Sequence, residues 1–340
     1  MQNIIPPVER EILKKELTPE KRLRRTNKAD NEIYIVTAAD APQTMQEIGR
    51  LREIAFRHYG GGTGLPADID CFDTMTGCYR QLIVWNPRDE QILGGYRFLC
   101  GSDVRSGKDG KPLLATSHLF NFSETFLRDY LPYTVELGRS FVALDYQVTR
   151  GRSQGIFILD NLWDGLGALT VIDPTLKYFY GKVTMYNSYD VDARNMILYF
   201  LNLHFSDPDG LVTPIRPLRT GIDTKKMKTI FHYNNFRDNY KVLNRQIREI
   251  GINIPPLLNA YMSLSPKMRV FGTAVNDEFG DVEETGILIA VDEILEEKKK
   301  RHIETFLSEM EEPDFRPVKI AYEMKAAAFG EAMSNLLRQL

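Results

Sequence analysis

The chain has 340 residues, with 43 lysines and arginines against 46 aspartates and glutamates, which gives a formal net charge of −3. Hydrophobic residues make up 43%, charged residues 26% and aromatic residues 11%. These proportions match folded globular proteins and exclude a disordered, collagenous or coiled-coil chain. The length allows one large domain or two ordinary ones. Because the whole chain has no basic excess, nucleic acid is not an expected partner.

The first part of the chain predicts a basic arm followed by a strand, a long helix and a hairpin. Thr-Pro-Glu at residues 18–20 suits a helix start, which predicts a helical arm over residues 1–30. Alternation and helical periodicity then predict the strand Glu32–Ala38, a helix from Pro42 to Gly60, and the strands Tyr79–Trp85 and Gln91–Leu99. The five-residue link between the last two strands favours an antiparallel hairpin.

The second part of the chain continues to mix strands and helices. The predicted elements are a helix Ser123–Leu131, a strand Tyr133–Leu144, a helix Ile156–Val171, a strand Tyr178–Met185, a helix Val191–Phe205, one or two helices over Thr224–Ile250, and the strands Val270–Ala274 and Thr285–Val291. Gly138 lies inside a predicted strand, where glycine often marks a bulge. Residues after Asp292 have a helical pattern, and Arg316–Leu340 predicts an amphipathic helix.

This order of elements predicts an α+β fold built on a mixed sheet of about six or seven strands, because hairpin-linked strands alternate irregularly with helices. Regular βαβ alternation is absent, which argues against a doubly wound fold. We expect a helical arm at 1–30, a catalytic domain at 31–291 with a helical insertion at about 205–265, and a helical extension at 292–340.

Several common motifs are absent. The glycines of 60–64 lack the lysine that a Walker loop places on phosphates, and Gly165 and Gly167 lie within a helical pattern instead of a strand-to-helix turn. Five histidines and three cysteines show no metal-ligand spacing and no disulfide framework. We therefore expect neither a metal site nor a permanently bound cofactor.

The sequence favours a cytoplasmic protein. Charged residues interrupt the apolar positions of 1–17, so no secretory signal is predicted. The longest apolar stretches, 196–205 and 286–291, are far shorter than the roughly 20 residues that span a bilayer.

Six charged residues lie in or beside apolar segments: Arg52, Asp70, Asp73, Arg97, Glu136 and Arg139. Ionised groups are rarely buried unless they are paired. One interpretation is that they belong to solvated strand faces with chance pairs. Against it, Glu136, Gly138, Arg139 and Ser140 interrupt a strand that a purely structural role would fill with β-branched residues.

The order of these residues resembles a known family. The pattern consists of Arg52 and Phe56, then Asp70 and Asp73, then Gly94 to Arg97, then Glu136 to Val142, with further matches at Leu162–Gly167, Ile254–Tyr261 and Phe279–Gly280. Over residues 45–291 it resembles haemolysin-like, ornithine-lipid-type N-acyltransferases, and it is also similar to acyl-homoserine-lactone synthases. The resemblance implies the fold of the GCN5-related N-acetyltransferases (GNAT), with a mostly antiparallel sheet.

The resemblance also implies a reaction. It is the transfer of a fatty or 3-hydroxylated fatty acyl group from an acyl carrier protein to a small amino acid such as glycine or ornithine, the first step of aminolipid synthesis. The co-substrate would be an acyl thioester of phosphopantetheine, carried by acyl carrier protein or by coenzyme A. The resemblance further implies a substrate-binding ion-pair cluster, whose members are Arg52, Phe56, Asp70, Asp73, Arg97 and Arg139.

The chemistry assigns roles within the strand Tyr133–Leu144. Glu136 would take the ammonium proton directly or through water, and backbone N–H groups near Gly138 and Ser140 would face the thioester carbonyl. Glu136 and Arg139 would point to opposite faces of a regular strand, so a bulge near Gly138 is expected. Arg139 would equally well lock Asp70 or Asp73 in a structural ion pair.

A polar loop precedes the helix predicted at Ile156. Its candidate residues for the phosphopantetheine arm are Arg150, Gly151, Arg152, Ser153 and Gly155, because a helix start offers free N–H groups to anions. The alternative is an ordinary exposed turn.

Residues 216–248 carry nine lysines and arginines against two aspartates, whereas 277–297 carry nine acids and no lysine or arginine. Three interpretations of the basic segment remain open. It is a solvated helix face, or it binds an acidic carrier protein or the surface of an anionic membrane, or it pairs with the acidic segment.

Three other functions remain open. They are an acetyltransferase that uses acetyl coenzyme A, a synthase of acyl-homoserine-lactone-like signals, and a non-enzymatic, haemolysin-like membrane-active protein. An apolar tunnel beyond the thioester would separate a long-chain acyltransferase from an acetyltransferase.

Overall fold

The structure is a computed structural model that describes residues 1–147 and 154–311. Ten strands are present in this part of the chain: β1 (Arg22–Arg25), β2 (Glu32–Val36), β3 (Arg80–Asn86), β4 (Gln91–Cys100), β5 (Phe120–Phe122), β6 (Thr134–Val142), β7 (Tyr178–Met185), β8 (Val212–Pro214), β9 (Arg269–Asn276) and β10 (Val282–Ala290). The α-helices are α1 (Arg10–Glu16), α2 (Pro42–His58), α3 (Cys71–Thr74), α4 (Leu144–Gln147), α5 (Gln154–Ile172), α6 (Val191–Phe205), α7 (Thr224–Ile230), α8 (Phe236–Glu249), α9 (Pro256–Leu264), α10 (Glu296–Lys299) and α11 (Thr305–Met310).

Eight of the strands form one sheet in the order β1-β2-β3-β4-β6-β7-β10-β9, and β5 pairs with β8 separately. The pairs within the large sheet are antiparallel except β6 with β7, which is parallel. The predicted α+β class and the mixed, mostly antiparallel sheet are therefore confirmed. The β3–β4 hairpin is also present as predicted.

The sheet has one strand more than the predicted upper number, because the N-terminal arm is not wholly helical. The arm contains α1, but Arg22–Arg25 then forms β1 on the edge of the sheet, paired antiparallel with β2. Three of its four residues are arginines, so its sequence lacks the apolar alternation that marks a strand. Leu23 supplies the buried contact that holds it.

Strand β1 is attached to helices from the other end of the described chain. The Arg24 guanidinium is buried, donates to the carbonyl oxygens of Asp164 and His302 at 3.2 and 3.1 Å, and lies 3.5 Å from the Glu309 carboxylate. The backbone N–H of Arg25 donates to Glu309 at 2.8 Å. Helix α11 therefore covers an edge strand whose free N–H and C=O groups would otherwise be open to pairing.

Both faces of the sheet are covered. One face packs against α5 and α6 and the other against α1, α2 and the segment 114–131. Helix α5 is mostly apolar, as expected for a helix buried between the sheet and α11, and its buried polar residues Asn161 and Asp164 accept hydrogen bonds from side chains near the N-terminus of the chain. A Cβ atom on Gly165 would lie 2.8 Å from Leu82, so this glycine permits close packing of α5 on the sheet.

The predicted helical regions outside the sheet are largely present. The insertion contains α7, α8 and α9, so the basic segment forms a pair of helices, and it also contains the short strand β8. Beyond residue 292 the described chain is helical through Met310, and the predicted helix Arg316–Leu340 lies outside the described residues. Within the described chain, no helix combines the length and apolar character needed to cross a bilayer.

Candidate active site

The central feature of the site is a wedge between β6 and β7, defined here as the gap that opens beyond Glu136 and Tyr180. The two strands pair in parallel over only three positions, the last being Glu136 with Tyr180. A Cβ atom on Gly181 would lie 2.9 Å from the carbonyl oxygen of Leu137, so the strands still touch there. If the register continued, Gly138 would face Lys182, and the wedge therefore begins at these two residues.

The other edge of β6 carries a bulge. Gly95 pairs with Phe141 and Arg97 pairs with Gly138, so two residues of β6, Arg139 and Ser140, oppose one residue of β4. Arg139 has a φ of +48°, a left-handed conformation that is unfavourable for an arginine. The predicted bulge near Gly138 is confirmed. It places Arg139 on the same side of the sheet as Glu136.

Five of the charged residues selected from the sequence form one connected network. Asp73 accepts from Arg52 at 3.3 Å and from Arg97 at 3.3 Å, and Arg97 also binds Asp70 at 2.7 Å. Arg139 joins the network through Asp70 at 3.7 Å. The predicted connection of these residues is confirmed. Burial alone would raise the pKa of Asp73, but the two arginines outweigh it and hold that pKa below its ordinary value.

Sequence reasoning missed two members of this network. Asp68 is fully buried and binds Arg139 at 2.8 Å, and Gln81 receives a hydrogen bond from Arg52 and donates to Asp73 at 3.0 Å. The sequence could have indicated Asp68, because three aspartates and no lysine or arginine occur between Arg57 and Arg80. Nothing in the sequence indicates Gln81, since a single polar residue at the start of a strand is common.

A large cavity extends from the wedge. Its volume is about 1200 Å³, above the roughly 300–1,000 Å³ common for small-molecule sites. One part has aromatic walls: Phe56 contacts Phe279 at a ring distance of 5.2 Å, and Arg139 lies 4.4 Å over the Phe279 ring. The other part is apolar and is lined by Leu159, Trp163, Ile254, Pro255, Leu257, Ala260 and Leu264, among others.

Comparisons with known proteins bear on this geometry. Residues 51–154 match the acetyltransferase (GNAT) domain family. The chain is 63% identical over 309 residues to a protein of Phocaeicola vulgatus named glycine N(alpha)-acyltransferase, covering 91% of this chain and 95% of the relative. The chain belongs to the GNAT N-acyltransferases. A Bacteroides thetaiotaomicron protein of the same name is 63% identical over 307 residues, covering 90% of this chain and 91% of the relative. No solved structure matches the chain.

Glu136 of this N-acyltransferase is buried beside the wedge. Its carboxylate accepts from the Tyr79 hydroxyl, from the Thr116 hydroxyl at 2.6 Å and from the Thr116 N–H at 3.1 Å. Burial raises the pKa of Glu136, although these hydrogen bonds and Arg97 act in the opposite direction. Glu136 is not among the residues that line the cavity, whereas Gly138 and Ser140 are.

Another buried carboxylate in the acyltransferase lies on the far side of the wedge. Glu284 of β10 is fully buried and forms an ion pair with Lys182 of β7, and Lys182 lines the cavity. Sequence reasoning missed this pair, because its partners are 102 residues apart and meet only when β10 pairs with β7. One feature of the sequence could have indicated the pair. Lys182 in β7 and Glu284 in β10 are charged residues inside strands whose other residues are mostly apolar or small.

The predicted phosphopantetheine loop is mostly outside the described residues. Arg150, Gly151, Arg152 and Ser153 fall there, whereas Gly155 is in the first turn of α5. The described residues contain no cluster of three or more histidine, cysteine, aspartate or glutamate side chains able to hold a metal ion.

Proposed function

We propose that this enzyme transfers a fatty acyl group from a phosphopantetheine thioester to the α-amine of glycine and releases an N-acylglycine, the first step towards an aminolipid. The observation that carries the proposal is the cavity, which joins the β6–β7 wedge to a long apolar region. An acetyl group would leave that region empty. The acceptor is inferred from the name of the two relatives, glycine N(alpha)-acyltransferase.

The wedge suits the phosphopantetheine arm. Beyond Glu136 and Tyr180, β6 and β7 no longer pair with each other along their facing edges. An extended arm with amide groups would add to these edges as a further strand does, through main-chain hydrogen bonds. The thioester would then lie near Gly138, and the acyl chain would extend past Trp163 and Ala260 into the apolar part of the cavity.

The reaction needs a site for negative charge at the thioester carbonyl. The amine nitrogen forms a bond to the carbonyl carbon, the carbon–sulfur bond then breaks, and the thiol leaves with a proton. We assign stabilisation of the developing oxyanion to the backbone at Gly138 and to the bulge residue Ser140. Both residues line the cavity, at the part of β6 that no longer pairs with β7.

The amine also has to lose its proton before attack, and we assign this role to Glu136. Its raised pKa suits a base that works near neutral pH. Because neither Glu136 nor its hydroxyl partners Tyr79 and Thr116 line the cavity, the proton would reach Glu136 through water, either directly or by way of one of these hydroxyls.

The donor is assigned to an acyl carrier protein on the basis of charge. Helix α8 presents Arg237, Lys241, Arg245 and Arg248 on one exposed face. A groove along this face reaches Asn259, which also lines the main cavity. In the described part of the chain, Asp277 of the acidic segment pairs with Arg216 of the basic segment at 2.6 Å, whereas the ion pairs of Lys241 and Arg245 stay within α8, with Asp238 and Glu249. These two pairs are exposed, and exposed pairs contribute little, so an acidic partner can compete for the basic face of α8.

The test uses the purified full chain with glycine and four donors: palmitoyl and acetyl groups, each on acyl carrier protein and on coenzyme A. The proposal expects N-palmitoylglycine from the carrier-protein donor, detected by mass spectrometry, and little product from either acetyl donor. Faster turnover with acetyl coenzyme A would overturn the long-chain assignment. No product with glycine, but product with ornithine, would overturn the acceptor.

A matched variant separates the carrier surface from the catalytic site. The double charge reversal Lys241→Glu with Arg245→Glu should raise KM for the carrier-protein donor and weaken its dependence on salt. The same variant should leave KM for palmitoyl coenzyme A almost unchanged. Equal effects on both donors would contradict a carrier-protein surface on α8.

A further inference from the structure

The ion pair between Lys182 and Glu284 is built into the wall of the cavity. The Lys182 side chain is 13% exposed and lines the cavity, whereas Glu284 is fully buried behind it. Glu284 also accepts from the Thr184 hydroxyl at 2.8 Å and from the Asn276 amide at 3.3 Å. Three donors thus hold the carboxylate in the wall, and the carboxylate in turn fixes the position of the lysine.

Lys182 has donor capacity left for a ligand. An ammonium group has three N–H donors, and among the described residues the hydrogen bond of Lys182 goes to Glu284. Arg139 lines the same cavity and is itself paired with the buried Asp68 at 2.8 Å. The cavity wall therefore holds two cations, each fixed by a buried carboxylate, and an anion in the cavity would accept hydrogen bonds from the N–H donors that these pairs leave.

The position of Lys182 relative to the wedge indicates which anion would bind. Lys182 and Gly138 line the same cavity, and each lies two residues beyond the last paired position of its strand, where the wedge begins and the thioester carbonyl is assigned. In an α-amino acid, one carbon atom separates the carboxylate from the amine. A carboxylate bound at Lys182 would therefore hold the amine beside the thioester, as direct attack requires.

We propose that Lys182, positioned by Glu284, binds the carboxylate of the amino acid acceptor, with Arg139 as the second cation. This proposal rests on the proposed N-acylation of an amino acid and names the group that recognises its acceptor. Lys182 touches substrate and is a binding residue, whereas Glu284 acts through Lys182 and is a positioning residue.

The test compares glycine with glycinamide, which keeps the amine but replaces the carboxylate by a neutral amide. Lys182→Met should lower kcat/KM for glycine by about 10- to 100-fold, the loss expected for one hydrogen bond between charged groups. It should leave kcat/KM for glycinamide nearly unchanged. Lys182→Arg should restore part of the preference for glycine. Lys177→Met, which removes a lysine next to β7 but outside the cavity, is the matched control and should change neither value.

Loss of Lys182 leaves Glu284 buried without its cation, so the single variant risks misfolding. The double variant Lys182→Met with Glu284→Gln removes both charges and should restore folding, as measured by its melting temperature. It should still fail to prefer glycine over glycinamide. Recovery of the preference in this double variant would overturn the proposal and assign the pair a structural role.

Binding without turnover distinguishes this proposal from the proposed function. Glycine alone should raise the melting temperature of the wild-type protein more than glycinamide does, and Lys182→Met should abolish the difference. If the wild-type protein binds glycine in this way but forms no N-acylglycine, the proposed function fails and the carboxylate site stands. If glycine and glycinamide stabilise wild type equally, the carboxylate site is overturned.

Discussion

Replacing Glu136 by glutamine separates a catalytic from a structural role for this residue. Glutamine keeps the size of the side chain but does not take up a proton at neutral pH. If Glu136 is the base, turnover should fall by about 10²- to 10⁴-fold, the usual contribution of general base catalysis. The loss should become smaller as pH rises, because more of the amine arrives already neutral.

The surroundings of Glu136 indicate that this variant folds. The glutamine oxygen would accept from the Thr116 N–H and hydroxyl, and the amide nitrogen would donate to the Tyr79 oxygen, which already accepts from the Ala115 N–H at 2.8 Å. Alanine at the same position would instead leave three buried donors without an acceptor. At about 1 kcal/mol or more for each, Glu136→Ala should cost about 3 kcal/mol or more of folding free energy.

The melting temperature should also depend on pH in a defined direction. Because burial raises the pKa of Glu136, its stabilising contribution is fully present below the pKa of the unfolded chain and is lost as pH rises through the folded pKa. Glutamine imitates the neutral acid at every pH. The difference in melting temperature between Glu136→Gln and wild type should therefore move in favour of the variant as pH rises above the ordinary glutamate pKa of about 4.3.

The assay is a pH–rate profile of N-acylglycine formation, measured together with thermal melting of the same samples. Glu47→Gln is the matched control, because Glu47 is a buried glutamate of α2 that pairs with Arg50 and does not line the cavity. A folded Glu136→Gln protein with undiminished activity at neutral pH would refute the assignment of Glu136 as base. A lower melting temperature with a defect that does not recover at alkaline pH would indicate a structural role.

Three further outcomes are expected. Asp73→Asn should lower the free energy of unfolding by about 3–5 kcal/mol because two buried arginines lose their shared partner. Because the pKa of Asp73 is held low, its stabilising contribution is lost at acid pH. The difference in free energy of unfolding between wild type and Asp73→Asn, measured by urea denaturation at a series of pH values, should therefore shrink below about pH 4. Gly101→Ala would place a Cβ atom 1.6 Å from a backbone carbonyl oxygen and should destabilise by at least about 1–3 kcal/mol, whereas Gly221→Ala, which meets open space, should change the melting temperature little. Ala260→Trp fills the apolar part of the cavity and should shift the preferred donor to shorter acyl chains in a chain-length series; an unchanged preference would contradict the assignment of that region.

The sequence was informative about the fold wherever local pattern determines structure. The hairpin between β3 and β4 follows from its short link, and the mostly apolar helix α5 follows from its periodicity. Strand β1 was not predictable in this way, because its arginines are stabilised by pairing with β2 and by Glu309, far along the chain. Tertiary contacts override local propensity at such an edge.

The site was predictable to a smaller extent. Strand parity alone required a bulge to bring Glu136 and Arg139 to one side of the sheet, and the bulge is present. The hydrogen bonds that bury Glu136 come from Tyr79 and Thr116, and no spacing in the sequence indicates that these residues meet it. The same is true of Lys182, whose partner is supplied by a strand that pairs with β7 only in the folded sheet.

The contact between β1 and α11 has a consequence for synthesis of the chain on the ribosome. The Arg25 N–H meets its acceptor on Glu309 across 284 residues of sequence. Since synthesis proceeds at about 5–20 residues per second, β1 is made many seconds before the helix that covers it. During that interval the nascent sheet has an open edge that can pair with other chains. Chains whose synthesis stops after β10 and before α11 would contain every strand of the sheet but not the helix that covers β1. We therefore expect these truncated chains to aggregate more than other truncated chains.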